Sequence, residues 1–534
     1  MSKFFHLSTT LSFLIALLTL VPLMVMFSAW WEIDTTIWAH LSDYVLPNLL
    51  SNTFFLMLGV SVGVLTLGIS LAWCVAIYDF PLRNFFNWSL MLPLSIPAYV
   101  MAFSQQAQLS YSAPLPTFWR EHLNFLPPLP PLTGTFGVSI VLSLAFYPYV
   151  YLLAKQAFSN MGLRSIEVGQ SLNLSVTASF WRVALPMARP WILGGLTLAL
   201  METLADFGTV SIFNYDTFTS AIYKSWFSLF SLNTAKQLAA ILVLFIFVLI
   251  STEQHLIRHR RYHHRHLQHQ FRQRLTGLRA GLVFVWASSV LCLAFIVPLA
   301  QLIFWAYATW DDFADSHLWS SLLQSFTLAS FAAVLTVSLA FILVMLKQYR
   351  PNAGTAFFTR LATMGYAIPG TVLAVGIFVP LAWMDHQILT HATLLFPNLT
   401  IQNYALNGSI VALLLALATR FLAIAHTPKH NAIKRLSPHL GEAASLLGKS
   451  FKTQMRLIYF PLLKGSTATA LIMVFVECLK EIPIVLMMRP YDWDILAVRI
   501  FNLTTEGQWE AAAIPSLIIV FAGLLPVVWL SRHQ

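Results

Sequence analysis

The chain has 534 residues, 58% of them hydrophobic and 10% charged, with a mean hydropathy of +0.71. Soluble domains run at roughly 45–50% apolar and about 25% charged, so 31 Lys+Arg and 21 Asp+Glu cannot cover a soluble chain of this length. A soluble enzyme, a disordered chain and a secreted disulfide scaffold are excluded; a polytopic membrane protein is left. The formal charge of +10 then reads as positive-inside patterning rather than a nucleic-acid signal. Cys74, Cys292 and Cys478 each sit in a long apolar run and read as small apolar residues.

In chain order, Lys3 precedes an apolar stretch from Leu11 to about Trp31. That is longer than the roughly 7–15 residues of a signal h-region and has no A-x-A site after it, so it is expected to be a first spanning helix. A span needs about 20 apolar residues. Further runs fall at 51–78, 88–109, 133–157, 191–212 and 236–252, then at 280–308, 323–347, 358–383, 404–426, 464–487 and 509–531. The expected fold is all-α, with about twelve transmembrane helices in two sets of six. With both termini inside, 25 of the 31 Lys/Arg fall on the inner side, five on the outer side, and Lys480 within a span. Of the 21 acids, thirteen fall outside, four inside and four within spans.

The two sets repeat. Ile96-Pro97-Ala98-Tyr99-Val100 matches Ile368-Pro369-Gly370-Thr371-Val372 at an offset of 272, and Glu167, Glu202 and Asp206 match Glu442, Glu477 and Glu481 at 275. Six helices per repeat keep both halves in the same orientation, which implies a pseudo-two-fold along the membrane normal and a pathway where the halves meet. The division is 1–252 for the first half, 253–279 for a linker and 280–534 for the second half. Seven Arg and six His crowd the linker. It reads as a solvated cytoplasmic segment touching anionic lipid, or as a His-rich metal site.

Each half carries a basic inner loop, at 160–190 and 436–464. The second reads Glu442-Ala443-Ala444-Ser445-Leu446-Leu447-Gly448, then Lys449 to Tyr459, then Phe460-Pro461. Glu-Ala-Ala favours helix, Gly448 permits a sharp turn, and Pro461 is expected to end the next short helix. The first reads Glu167-Val168-Gly169, Asn173 and Leu185-Pro186, without the second Ala or the turn glycine. Leu447-Gly448-Lys449-Ser450 imitates the end of a phosphate-binding loop, but Ala443 stands where that motif needs Gly and no soluble strand precedes it.

These paired segments resemble the EAA loops of binding-protein-dependent ABC importer permeases of type I, which dock on an ATPase. The resemblance implies coupling roles for Glu167, Pro186, Glu442, Ala443, Ala444, Gly448 and Pro461, with ATP hydrolysis in a separate subunit and no enzyme activity in this chain.

Four acids lie within spans. At 1.5 Å per residue Glu202 and Glu477 are roughly 16–18 Å deep, and Asp206 and Glu481 follow at i+4, on the same helix faces. An ionised group at that depth costs about 2.5–3.5 kcal/mol on insertion scales, and Lys480 offsets only one of the four charges. The set is either a substrate pathway or an inter-helix hydrogen-bond network. Met201-Glu202-Thr203-Leu204-Ala205-Asp206-Phe207-Gly208-Thr209-Val210, Tyr147-Pro148-Tyr149-Val150-Tyr151, Leu479-Lys480-Glu481-Ile482-Pro483, Arg489-Pro490 and Ile495-Leu496-Ala497-Val498-Arg499 resemble the ferric-iron importer permeases over nearly the whole chain.

That family is a fused two-half permease of the bacterial inner membrane. The resemblance implies a periplasmic ferric-binding protein and a cytoplasmic ATPase pair as partners, beside membrane lipid and without nucleic acid, with no cofactor and no certain metal site. Two alternatives stand beside it: a permease for thiamine or another small solute, and a secondary transporter with the acids as proton relays. A membrane-embedded enzyme would need metal-ligand spacing within the spans, and the sequence has none.

Overall fold

The apolar runs fold into twelve principal helices: α1 (Ser2–Ser28), α2 (Leu46–Ile77), α3 (Ala98–Gln108), α4 (Gly134–Met161), α5 (Leu185–Ala205), α6 (Leu232–Ile257), α7 (Gly277–Ala308), α8 (Ser316–Tyr349), α9 (Gly370–Leu395), α10 (Ile410–Lys434), α11 (Lys464–Lys480) and α12 (Ala513–Ser531). The structure, a computed structural model, describes residues 2–31, 35–108, 120–122, 132–161, 164–257, 272–310, 316–349, 352–395, 406–437 and 439–531. The Arg/His-rich centre of the linker, 258–271, lies outside the described residues. Among those described, the only strands are Tyr78–Asp79 and Gln273–Arg274, a parallel pair joining the end of α2 to the end of the linker.

Among the described residues, nine helices are long and apolar enough to cross a membrane, or eleven if two bent pairs each count as one span. The pairs are Arg83–Ser95 with α3, bent by 94°, and Lys452–Leu462 with α11, bent by 71°. α12 falls short of the full length, with an apolar stretch of Ala513–Val528. The runs at 88–109, 191–212, 358–383 and 464–487 are not continuous helices. They break at Ile96-Pro97, Asp206-Phe207, Ile368-Pro369 and Glu481-Ile482. At two of the four, Pro97 and Pro369 remove a backbone donor and hold Ile96 and Ile368 in extended conformation; at a third, Pro483 removes a donor at the start of the helix that follows the break.

Elsewhere proline widens the helix instead of stopping it. Four π turns, Leu41–Val45, Phe180–Ala184, Cys292–Ile296 and Met455–Tyr459, each precede an X-Pro step at Pro47, Pro186, Pro298 or Pro461. In each, the residue before the proline donates to the carbonyl five positions back: Leu46 to Leu41, Leu185 to Phe180, Val297 to Cys292, and Phe460 to Met455. Proline cannot make the next bond of that ladder. The carbonyl so orphaned at Leu293 is recovered by a side chain, Gln105 Nε2 at 3.1 Å. Pro461 therefore sits inside its helix, one residue before the bend at Leu462, while Pro186 lies within a helix that runs unbroken from Val176 to Ala205.

The contacts divide the chain into two units. One comprises Met1–Ala39, Ala221–Val243 and Ala314–Asn502. In it α8 packs on α10 and α11, and α1 packs on α9 and on the short helix Ala353–Thr363. Gly376 admits Pro22 and Met26, and Thr19 Oγ1 donates to the Ala362 carbonyl at 3.2 Å. The other comprises His40–Ser220, Leu244–Phe313 and Leu503–Gln534. Its centre is the α2–α4 pair, flanked by α5, while α7 packs on α3 and α12. Each unit thus takes the four inner helices of one sequence half together with the first helix of the other half, and the division runs through α6.

Small residues make the α2–α4 contact close. Gly59, Gly63 and Gly68 face Ser139, Ser143 and Val150, and a Cβ at Gly68 would lie 2.7 Å from Val150 Cβ. Helix association in lipid relies on such close approach. Gly68→Leu should cost upward of about 1–3 kcal/mol by overpacking, read as a lower melting temperature and less monodisperse protein in detergent. Gly281→Leu, on α7 with nothing within 4 Å of its Cβ position, should leave both unchanged.

Candidate functional site

The inner loops share one geometry. Helix Arg164–Ser171 and helix His439–Leu446 each carry their acid, Glu167 or Glu442, in the first turn, where the helix dipole favours it. Both end in a Schellman turn. Leu174 N donates to Gly169 O at 2.9 Å, and Lys449 N to Ala444 O at 3.0 Å. Asn173 (φ +59°) and Gly448 (φ +70°) occupy the left-handed position. Asn is the residue after Gly that tolerates it best, so the first loop keeps the turn without the glycine. Ser175 and Ser450 then cap the next helices, accepting from Ala178 N at 3.2 Å and Thr453 N at 3.4 Å.

The missing alanine is explained by packing. A Cβ at Gly169 would collide with the Ser179 side chain, so glycine is required there, whereas the Ala444 methyl is accommodated in a buried position. Beside each turn a large apolar side chain stands in the open: Leu172 is 65% exposed and Leu447 77%. Ala443 and Pro461 are exposed, Pro186 is half-buried, and the Glu442 carboxylate accepts from or pairs with His439 Nδ1 at 3.0 Å.

The four acids of the spans are not disposed as i, i+4 pairs on continuous helices. α5 stops at Ala205 and α11 at Lys480; Asp206 and Glu481 follow in extended conformation (ψ 130° and 116°). Each then caps a short helix. Asp206 Oδ1 accepts from Val210 N at 3.1 Å and Oδ2 from Thr209 Oγ1 at 3.0 Å, at the start of Gly208–Ile212. Glu481 Oε1 accepts from Ile484 N at 3.4 Å, at the start of Pro483–Met488. The carboxylates supply acceptors for helix donors that lack partners of their own.

The charge environments differ. Glu481 is buried and its Oε2 lies 3.0 Å from Nε of Arg420, on α10. Arg420 Nη1 also donates to the Ile368 carbonyl at 3.0 Å. Gly370 makes room for Glu481 Oε1 where a Cβ would stand. Glu477, with 41% of its side chain exposed, pairs with Lys480 Nζ at 3.6 Å, the i+3 contact expected. Arg420 corrects the sequence tally, which placed it on the inner side: the second-half acids are balanced by two cations, not one. The signal was present, since Arg420 lies ten residues into the apolar run that begins at Ile410. Ala145 stands 275 residues before it. Among the described residues Asp206 has no cation partner; Glu202, half-buried one turn back, faces it with a like charge. No three His, Cys, Asp or Glu side chains among the described residues converge as a metal site.

Removing one partner of a buried ion pair strands the other, at a cost of about 3–5 kcal/mol. Arg420→Met should therefore reduce the folded yield sharply, and Arg420→Met with Glu481→Gln should recover most of it. Equal losses in the single and double variants, measured by thermal unfolding, would show that the pair is not what holds the two breaks.

Residues 64–262 match the family described as binding-protein-dependent transport system inner membrane component. The chain is 26% identical over 496 residues to the Fe(3+)-transport system permease protein FbpB 2 of Haemophilus influenzae, covering 91% of this chain and 90% of that protein. It is 23% identical over 501 residues to the ferric transport system permease protein FbpB of Actinobacillus pleuropneumoniae, covering 89% and 69%. A shorter match, 29% over 152 residues and 28% of this chain, is to the molybdenum transport system permease protein ModB of Azotobacter vinelandii. These relatives are transport permeases, not enzymes, and two of them match along nearly the whole chain; the chain is similar to the binding-protein-dependent inner-membrane transport permeases.

Proposed function

We propose that the chain is the membrane subunit of an ATP-driven, binding-protein-dependent importer that moves ferric iron across a bacterial inner membrane by alternating access between its two halves. The observation that carries the coupling part is the pair of Schellman turns 275 residues apart, with Asn173 and Gly448 at the same strained position and Leu172 and Leu447 exposed beside them. Two apolar knobs on rigid turns suit docking into clefts on a pair of ATPase subunits, through which Glu167, Pro186, Glu442, Ala443, Ala444, Gly448 and Pro461 would transmit the stroke. This orientation puts both loops and both termini in the cytoplasm and leaves the opposite side for the substrate-binding protein.

The iron assignment rests on the two long matches to ferric permeases and on acid chemistry. A trivalent cation released by its carrier needs hard oxygen ligands, and Glu202, Asp206, Glu477 and Glu481 are carboxylates at matching positions in the two sequence repeats. The chain supplies passage and the ATPase supplies energy.

Coupling is tested at Gly448. A β-branched residue at φ +70° costs about 1–2 kcal/mol of local strain, so Gly448→Val should uncouple transport while the protein remains inserted, and the ATPase subunit should no longer co-purify. Normal uptake and full ATPase recovery would remove the docking assignment. Uptake that persists in cells without the ATPase would point instead to a proton-coupled secondary transporter.

Substrate is tested by uptake of labelled ferric iron and labelled thiamine in a strain lacking the chain and complemented with it. Glu202→Gln should lower iron uptake roughly tenfold, the scale of one lost charged contact, with ATPase co-purification unchanged. Restoration of thiamine but not iron uptake would overturn the iron assignment. Full iron uptake in the Gln variant would leave Glu202 a structural group.

A further inference from the structure

Among the described residues, one lysine is fully buried with no hydrogen-bond partner. Lys429, on α10, has 0% exposure, and among the described residues no group accepts from its Nζ. His426, one turn earlier, is also buried, and its Nε2 likewise lacks a partner. Its ring stacks on that of His430 at 5.2 Å and 22°.

Among the described residues, the charged groups set against the two imidazoles are basic. Lys347 of α8 faces His426 and His430, Lys434 faces His430 and Lys347, and Arg360 faces Lys347. Of the four acids assigned to the inner side by sequence, only Glu442 belongs to this unit, and it is engaged by His439. The cluster lies at the coupling-loop end of the unit: Val344 and Met345 beside Lys347, and Ile433 one turn beyond Lys429, share a core with Tyr459 and Leu463 of the loop segment.

An unpaired ammonium out of water is expensive. Either the lysine is neutral or an anion completes the site. The imidazole of His426 beside the buried ammonium, the His430 ring stacked on it, and the Lys347 and Lys434 ammonium groups set against those rings supply what a multi-oxygen anion accepts from. Basic pockets between helices on the cytoplasmic side of membrane proteins suit lipid headgroups.

We infer that Lys429, with His426, His430, Lys347 and Lys434, forms a binding site for a phosphate-class anion at the coupling-loop end of α8 and α10. The headgroup of an anionic inner-leaflet phospholipid and a free phosphate share this chemistry. The proposed orientation is used only to name the lipid as a source; the site itself is independent of iron and of the ATPase.

The full chain, purified and delipidated in detergent, is titrated separately with phosphatidylglycerol, phosphatidylcholine and inorganic phosphate while its melting temperature is followed. The anionic lipid should raise the melting temperature and the zwitterionic one should not. A matching rise with inorganic phosphate would identify a free anion as sufficient, and a rise with phosphatidylglycerol alone would identify the lipid. Lys429→Met should weaken the binding at least about tenfold, as loss of a charge-assisted contact does. Lys347→Gln with His430→Gln, at less buried positions, gives a second variant should the first fail to fold. No shift with either anion, or equal shifts in the wild type and the variants, would overturn the site, and neither result bears on the transport assays.

Discussion

A bilayer offers no donor or acceptor to replace a lost backbone hydrogen bond, so every interruption of a spanning helix has to be closed by the protein itself. This chain interrupts its helices repeatedly, and the side chains named above are the closures. Gln105 reaches the carbonyl that Pro298 orphans at Leu293. Asp206 and Glu481 take up the first donors of Gly208–Ile212 and Pro483–Met488. Arg420 bonds the Ile368 carbonyl at one break and the Glu481 carboxylate at another, so one guanidinium fastens two interruptions within the same unit. Its forked donor geometry allows this; a lysine ammonium could not reproduce it.

The same constraint explains what proline does here. Where X-Pro lies near a helix start, the ladder shifts to an i, i−5 bond and the helix continues through a π turn. Where the preceding residue is forced out of the helical region, the span breaks. Pro186 and Pro461 belong to the first kind, which keeps each inner loop in rigid continuity with the helix that follows or with the bend that leads into it. On the proposed reading, a displacement at Leu172 would be passed along the unbroken helix Val176–Ala205 to the level of Asp206, whereas the path from Leu447 to Glu481 turns through the 71° bend.

Much of this was legible in the sequence. Apolar runs, the 275-residue repeat and the Glu-Ala-Ala segment are local or periodic signals, and each corresponds to a described element. The breaks were not legible, because a two-residue interruption such as Asp206-Phe207 barely changes an apolar average over twenty residues. The Arg420–Glu481 pair joins positions 61 apart on different helices, and no single-helix pattern encodes it. The turn at Asn173 was hidden only by looking for glycine; asparagine in the same register carries the same conformational information.

The breaks also change what the four carboxylates can do on the proposed reading. A carboxylate has about four lone-pair sites. Asp206 uses part of them on neutral donors, a hydroxyl and backbone N–H, which stabilise it without neutralising it. Capping and contact with a passing cation are therefore compatible at Asp206. At Glu481 they are not: its outer oxygen is held by a guanidinium 3.0 Å away, and a metal ion would have to displace that charge against its own repulsion. Glu477 lies between, exposed but shared with Lys480. The repeats thus match in sequence position but not in charge: Glu481 is held by Arg420, whereas Asp206 has no cation partner among the described residues. On the proposed reading, an ion at Asp206 meets a carboxylate already partly occupied by neutral donors, an attraction weak enough to be given up again, as a conducting step requires.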